Sequence, residues 1–193
     1  MKKTINADVQ QGLGYAGKVT LNLKLDNQLI AKQTIHNTGR VPLFKFFASC
    51  LAADWNTTSA TFPSRIVLFS AKNGEDEFDS NNWTDAEALT PTSGIMQSTT
   101  PEIIANGASN YCAVRYHFRI PTSLLGGGKA TNIGKIGLYS KTATLNDPLA
   151  YIFIEDSDKD ILSKAENSPN LVIVLDWELT ISNQNVVATT ANT

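Results

Sequence analysis

The chain has 193 residues, of which 42% are hydrophobic and 18% are charged. This length and composition suit one soluble domain with a single well-buried core. Sixteen basic and 18 acidic residues give a net charge of −2, so the chain lacks the basic excess that is typical of nucleic-acid-binding domains. No apolar stretch reaches the length of a membrane span, and no membrane partner is expected.

The first part of the chain predicts an arm followed by a β-hairpin. Residues 1–17 are polar and punctuated by glycines, which is typical of an irregular N-terminal arm. From residue 18 onward, apolar and polar residues alternate, and this period of two predicts a strand. Asp26 begins the predicted turn, and residues 29–36 predict the returning strand, in which Ile30 and Ile35 are the apolar residues.

An amphipathic helix is predicted directly after this hairpin. Thr38 is a suitable capping residue, and Pro42 suits the first turn because its missing N–H costs nothing there. The apolar residues that follow have helical spacing: Leu43, Phe44, Phe46, Phe47, Cys50 and Leu51. They predict a helix of about three turns that packs on a sheet.

Residues 71–110 predict a long irregular surface excursion with one helical turn near Asp85 to Leu89. Pro91 and Pro101 interrupt any regular element there. Four carboxylates lie close together in this segment: Glu75, Asp76, Glu77 and Asp79. A solvated loop is the simpler interpretation of this acidic cluster, and cation binding or docking on a basic patch of a partner is the alternative.

The rest of the chain predicts further strands. Residues 65–70, 111–120, 132–140 and 149–155 are short runs rich in apolar residues. The longest alternation begins at Leu171, and one side of this strand is apolar: Leu171, Ile173, Leu175, Trp177, Leu179 and Ile181. The sequence therefore predicts a mainly β protein, a single-domain antiparallel β-sandwich with a jelly-roll-like order, over residues 18–183, followed by a polar tail at 184–193.

The two cysteines, Cys50 and Cys112, fall within the predicted helix and a predicted strand. The N-terminus has no apolar core of a secretion signal, so we expect two small buried apolar residues and no disulfide.

Arg115, His117 and Arg119 fall on the same side of the predicted strand 111–120. This stripe of cations and imidazole predicts contact with an anionic ligand or an acidic neighbour. The alternative is an ordinary polar sheet face, which the sequence favours.

Asp156, Asp158 and Asp160 have the spacing of the first oxygen ligands in a calcium loop. Ile161 and Asn167 occupy the places where that motif needs glycine and glutamate. A solvated acidic turn is therefore favoured over a metal site.

Trp83 lies in polar sequence and is a candidate for an interface anchor or for stacking on a sugar, whereas the strand phase of Trp177 predicts a core residue. No Gly-x-Ser-x-Gly elbow, phosphate-binding loop or cysteine–histidine cluster is present in the sequence. No nucleophile–base pair can be named, so the sequence predicts neither an enzyme nor a cofactor, and a hydrolase is the weakest hypothesis.

Three features together resemble a known family: the hairpin end His36-Asn-Thr-Gly39, the helix of residues 43–52, and the closing strand of residues 171–183. They are similar to small β-rich virion structural proteins of tailed bacteriophages, especially gut phages such as the crAss-like phages. The resemblance spans both ends of the chain and leaves residues 71–110 unmatched.

The resemblance implies a β-sandwich that assembles as a homo-oligomer or on other virion proteins, without catalysis. It implies a place in the virion, after synthesis in the host cytoplasm, as a capsid-associated, neck, ring or tail component. The second hypothesis is a carbohydrate-binding module for host attachment that uses Trp83.

Overall fold

The computed structural model describes nine parts of the chain: residues 11–39, 41–51, 62–70, 88–90, 93–106, 111–120, 132–154, 161–162 and 170–185. These parts contain ten strands and one longer helix. The elements are β1 (Gln11–Leu25), β2 (Gln28–His36), β3 (Thr38–Gly39), α1 (Val41–Leu51), β4 (Pro63–Ser70), β5 (Ile95–Met96), β6 (Glu102–Asn106), β7 (Tyr111–Ile120), β8 (Ile133–Ser140), β9 (Ala150–Phe153) and β10 (Leu171–Asn185).

The strands form two antiparallel sheets of five. The first sheet has the order β2-β1-β10-β7-β6, and the second has the order β3-β9-β8-β4-β5. The predicted mainly β sandwich with one helix after the first hairpin is confirmed. The finer expectation of a jelly-roll-like order is not confirmed, because a jelly roll consists of two interlocked Greek keys in eight strands.

The core lies between the two sheets and is closed by α1. Trp177 on β10 and Leu21 on β1 come from the first sheet, Ile66 and Ile136 come from the second, and Leu43 comes from the helix. All five side chains are fully buried. The apolar residues whose alternation predicts the strands are thus the residues that fill the core. Trp177 is one of them, as its strand phase predicts.

A second, smaller cluster covers the outer face of the second sheet and includes Val67, Phe69, Tyr139 and Leu145. The Tyr139 hydroxyl donates a hydrogen bond to the Leu145 carbonyl at 2.9 Å. Its ring lies against Gly137, where an added Cβ would be 2.6 Å from the ring. Both faces of β4 and β8 are therefore buried, which explains why these strands are continuous apolar runs in the sequence.

The first hairpin differs in detail from its prediction. Asp26 and Asn27 have positive φ angles of 48° and 67°, as a two-residue turn of type I′ requires. The pairing shifts by one residue between Leu23 and Lys24, and Ile30 is the extra residue opposite that step. This bulge explains why Ile30 and Ile35 are out of phase in the sequence, and it leaves Ile30 exposed.

β1 begins at Gln11 and β10 ends at Asn185, and these two residues are partners in the β1–β10 ladder. The last seven residues of the predicted arm and the first two of the predicted tail therefore belong to one continuous pair of strands. At about 3.4 Å per residue, each 15-residue strand extends roughly 50 Å.

The prediction of an irregular excursion over residues 71–110 is wrong where the structure describes that segment. β5 and β6 lie within it, and Ala88 forms an isolated bridge with Phe69. Residues 85–87 of the expected helical turn lie outside the described residues. β5 has two residues and β6 has five, so neither is long enough to show a clear alternation. The acidic cluster at residues 75–79 lies outside the described residues.

The expectation that Cys112 is buried is also wrong. Its thiol is free and exposed, near the start of β7. The side chain of Cys50 lies outside the described part of the chain.

Candidate functional site

Arg115, His117 and Arg119 alternate along β7 and lie on the outer face of the first sheet, as the strand phase predicts. Their cross-strand partners on β10 are Glu178, Asp176 and Val174, in the same order. Two of the three basic side chains thus face a carboxylate across the sheet, and the third faces a valine. This register determines which of the three basic side chains has an acidic partner across the sheet.

Arg115 lies in a row of alternating charges that crosses four strands. Its guanidinium contacts Glu178 Oε2 at 3.0 Å and Glu102 Oε2 at 3.1 Å. Lys18 Nζ contacts the other oxygen of Glu178 at 3.1 Å. The Glu178 side chain is only 3% exposed, so its charge is compensated by two cations and not by water.

His117 lies in the next row, where Asp176 takes the central place. The Nδ1 atom of His117 is 2.7 Å from Asp176 Oδ1, and the Asn22 amide donates to Asp176 Oδ2 at 2.8 Å. The Nε2 atom of His117 is 3.9 Å from Glu102 Oε2. Together with the first row, these side chains form the outer-face network, which we define as Lys18, Asn22, Glu102, Arg115, His117, Asp176 and Glu178.

The electrostatics of the outer-face network fix the charge of Arg115. Burial acts to lower the pKa of this guanidinium. The hydrogen bond and the charge of Glu178 outweigh that effect, with help from the charges of Glu102 and Asp176, so the pKa of Arg115 is raised above its ordinary value. The paired carboxylates thus favour the charged form of the Arg115 guanidinium.

The network does not form a nucleophilic site in the part of the chain that the structure describes. A catalytic histidine needs a hydroxyl or thiol on the ring nitrogen opposite its carboxylate partner. The Nε2 atom of His117 has Glu102 on that side instead. Sequence analysis identified His117 and Arg115 but not Glu102, Asp176 or Glu178, because strand register cannot be deduced from alternation alone.

Arg119 differs from the other two residues of the stripe. Its side chain is exposed and forms no hydrogen bond or ion pair with any residue that the structure describes. It lines a groove of about 320 Å³ on the same sheet face, together with Lys24, Asp26, Asn27, Asn170, Val172 and Val174. We call this feature the cationic groove.

The other candidate residues lie outside the described residues: Trp83, Asp156, Asp158 and Asp160. Within the described ranges, no group of three histidine, cysteine or acidic side chains has the arrangement of a metal site.

One exposed apolar surface was not identified from the sequence. Ile103 on β6 is 74% exposed, although its partner Val114 packs against the main core. Cys112, two residues before Val114 on β7 and on the same face, is exposed as well. Both exposed side chains thus lie on the core-facing side of the first sheet at this end, which no described residue covers, and we call this surface the open end.

The chain was compared with protein-family models, with curated proteins and with solved structures, and no match was found.

Proposed function

We propose that this protein is a structural component of a tailed-bacteriophage virion and acts by assembling with copies of itself and with other virion proteins. The sequence resemblance supports the virion, and the shape of the first sheet supports assembly. On this proposal the sandwich is a rigid scaffold without catalysis, made in the host cytoplasm and incorporated into the particle.

The open end is the observation that carries the assembly proposal. A large apolar side chain such as Ile103, 74% exposed on a face that continues into a core, gains hydrophobic free energy when a neighbour covers it. Repeated contacts between identical subunits bury such surfaces in closed symmetric assemblies. A second copy of the chain is therefore the neighbour that we propose for the open end.

The outer-face network supports the same proposal. Its acidic and basic side chains are paired with one another across neighbouring strands, so the network stabilises the sheet. Among the described residues, no helix combines the length and apolar character that crossing a bilayer requires. No described residue favours the alternative of a carbohydrate-binding module, since Trp83 lies outside the described ranges.

The direct test of the proposal is to look for the chain in particles. Particles of the phage that encodes it, purified on a density gradient, are expected to contain the intact polypeptide in a fixed ratio to the major capsid protein by quantitative mass spectrometry. A polypeptide found only in the lysate, and removed from the particles by washing, would contradict the proposal.

Replacing Ile103 by aspartate is expected to weaken self-association by about tenfold or more, because a buried apolar anchor at an interface is worth 1–2 kcal/mol or more. The exposed position means that the monomer keeps its stability to within about 0.5 kcal/mol. Light scattering coupled to size-exclusion chromatography over a concentration series measures the first quantity, and thermal unfolding measures the second.

The matched control is Ile103→Leu, which keeps the apolar surface and should associate like the wild type. Equal association of the aspartate variant and the wild type would show that the open end is not the contact.

A further inference from the structure

The cationic groove is lined by basic side chains that lack acidic partners among the residues that the structure describes. Lys24 and Arg119 line it, and neither side chain forms an ion pair or hydrogen bond with the residues that the structure describes. Lys32 has no such partner either, and it lies in the same cross-strand row as Arg119, through Asn22 and Val174. Asp26 at the turn is the only acidic residue that lines the groove among the described residues.

The groove also has an apolar floor. Val172 and Val174 on β10 are half-buried and lie between Lys24 on β1 and Arg119 on β7. Cations around two valines form a surface that attracts carboxylates and also takes up one apolar side chain. An inorganic anion would use the charges and leave the valines uncovered.

The chain itself contains a segment with the complementary chemistry. Residues 75–79 have the sequence Glu-Asp-Glu-Phe-Asp, with four carboxylates and one phenylalanine. The other acidic segment, residues 156–160, contains a lysine and no aromatic residue. Charge and apolar content therefore both select residues 75–79 as the better occupant of the cationic groove.

We propose that the cationic groove of one copy binds the acidic segment 75–79 of a second copy, with Phe78 on the Val172–Val174 floor and carboxylates at Lys24 and Arg119. This inference rests on the proposed assembly function and names one of its contacts. The groove and the segment are different surfaces, so the contact is heterologous and links subunits head to tail. Such a contact forms a ring when the rotation between successive subunits closes on itself.

The first test measures peptide binding to the full chain. A fluorescent peptide of residues 73–81 is titrated with the wild type and with Lys24→Glu/Arg119→Glu, and anisotropy is recorded at low and high salt. We expect saturable binding that weakens with salt, and a loss of about tenfold or more in the double variant. Lys45→Glu/Lys141→Glu, the same number of charge reversals at exposed sites on α1 and directly after β8, is the matched control and should bind like the wild type.

Two results of this titration overturn the inference. One is the absence of binding to the wild type. The other is equal binding of the peptide of residues 73–81 and a peptide of residues 155–161, because charge alone would then account for the affinity.

The second test asks whether the partner is another copy. The groove variant and a segment variant, Glu75→Lys/Asp76→Lys/Glu77→Lys, each lack one half of the contact. Each is expected to associate less than the wild type, and their mixture is expected to form heterodimers in light scattering. Two results would show that the partner is not a second copy of the chain. One is a mixture that does not associate, and the other is a wild type that stays monomeric at protein concentrations well above the Kd of the peptide. Peptide binding by a protein that is absent from particles would contradict only the virion proposal.

Discussion

Replacing Trp177 by alanine is expected to lower the free energy of unfolding by about 4 kcal/mol. Trp177 is fully buried at the middle of β10, the central strand of the first sheet. Its cross-strand neighbours are Val19 and Tyr116, so the alanine would leave a cavity between two strands that a pleated sheet cannot close. Urea denaturation followed by circular dichroism measures the change.

The control for this substitution is Leu29→Ala on the edge strand β2. Leu29 is 56% exposed, so the loss is expected to stay within about 0.5 kcal/mol. A change of less than about 1 kcal/mol for Trp177→Ala would contradict the position of this indole in the sandwich core.

The strands that could be predicted from the sequence are those with one buried face. β7 matches its predicted bounds, Tyr111–Ile120, and β10 begins at the predicted Leu171. Burial of every second side chain leaves a period of two in the sequence, and this period is clearest in the longest strands. The helix could be predicted for the corresponding reason, since apolar residues such as Leu43 and Phe46 recur at helical spacing and both are buried.

The elements that could not be predicted lack that signal. β5 is too short for a period, and β6 has one of its two isoleucines, Ile103, in an exposed place. The bulge at Ile30 shifts the phase of β2 in the middle of the strand. The open end follows from the pairing of these same strands, so no pattern in the sequence could have indicated it.

The candidate site was predictable only in part for a related reason. Alternation places Arg115, His117 and Arg119 on one face, but it does not say which residues lie opposite. The register with β10 gives two of them carboxylate partners and leaves Arg119 without an acidic one in the described part of the chain. A shift of one residue would have exchanged the two faces of β10 and removed both ion pairs.

The second large effect is expected at Glu178, the central carboxylate of the outer-face network. Replacing Glu178 by alanine should lower the free energy of unfolding by roughly 2 kcal/mol, because Lys18 and Arg115 are left side by side without the anion between them. The loss stays below that of a fully buried pair, since water still reaches both cations: their side chains are 45% and 32% exposed.

Glu102→Ala is the matched control, because Glu102 contacts the same guanidinium from the other side but is 53% exposed. Its removal should cost about 0.5 kcal/mol or less, and the cost should disappear in 0.5 M salt, where exposed pairs are screened. The cost of Glu178→Ala should persist at that salt concentration, since the carboxylate is shielded from solvent ions. Urea midpoints of both variants at low and high salt separate the two cases. Suppose instead that both variants lose the same free energy of unfolding and that both losses disappear at high salt. Glu178 would then behave as a surface residue, and the outer-face network would not stabilise the sheet.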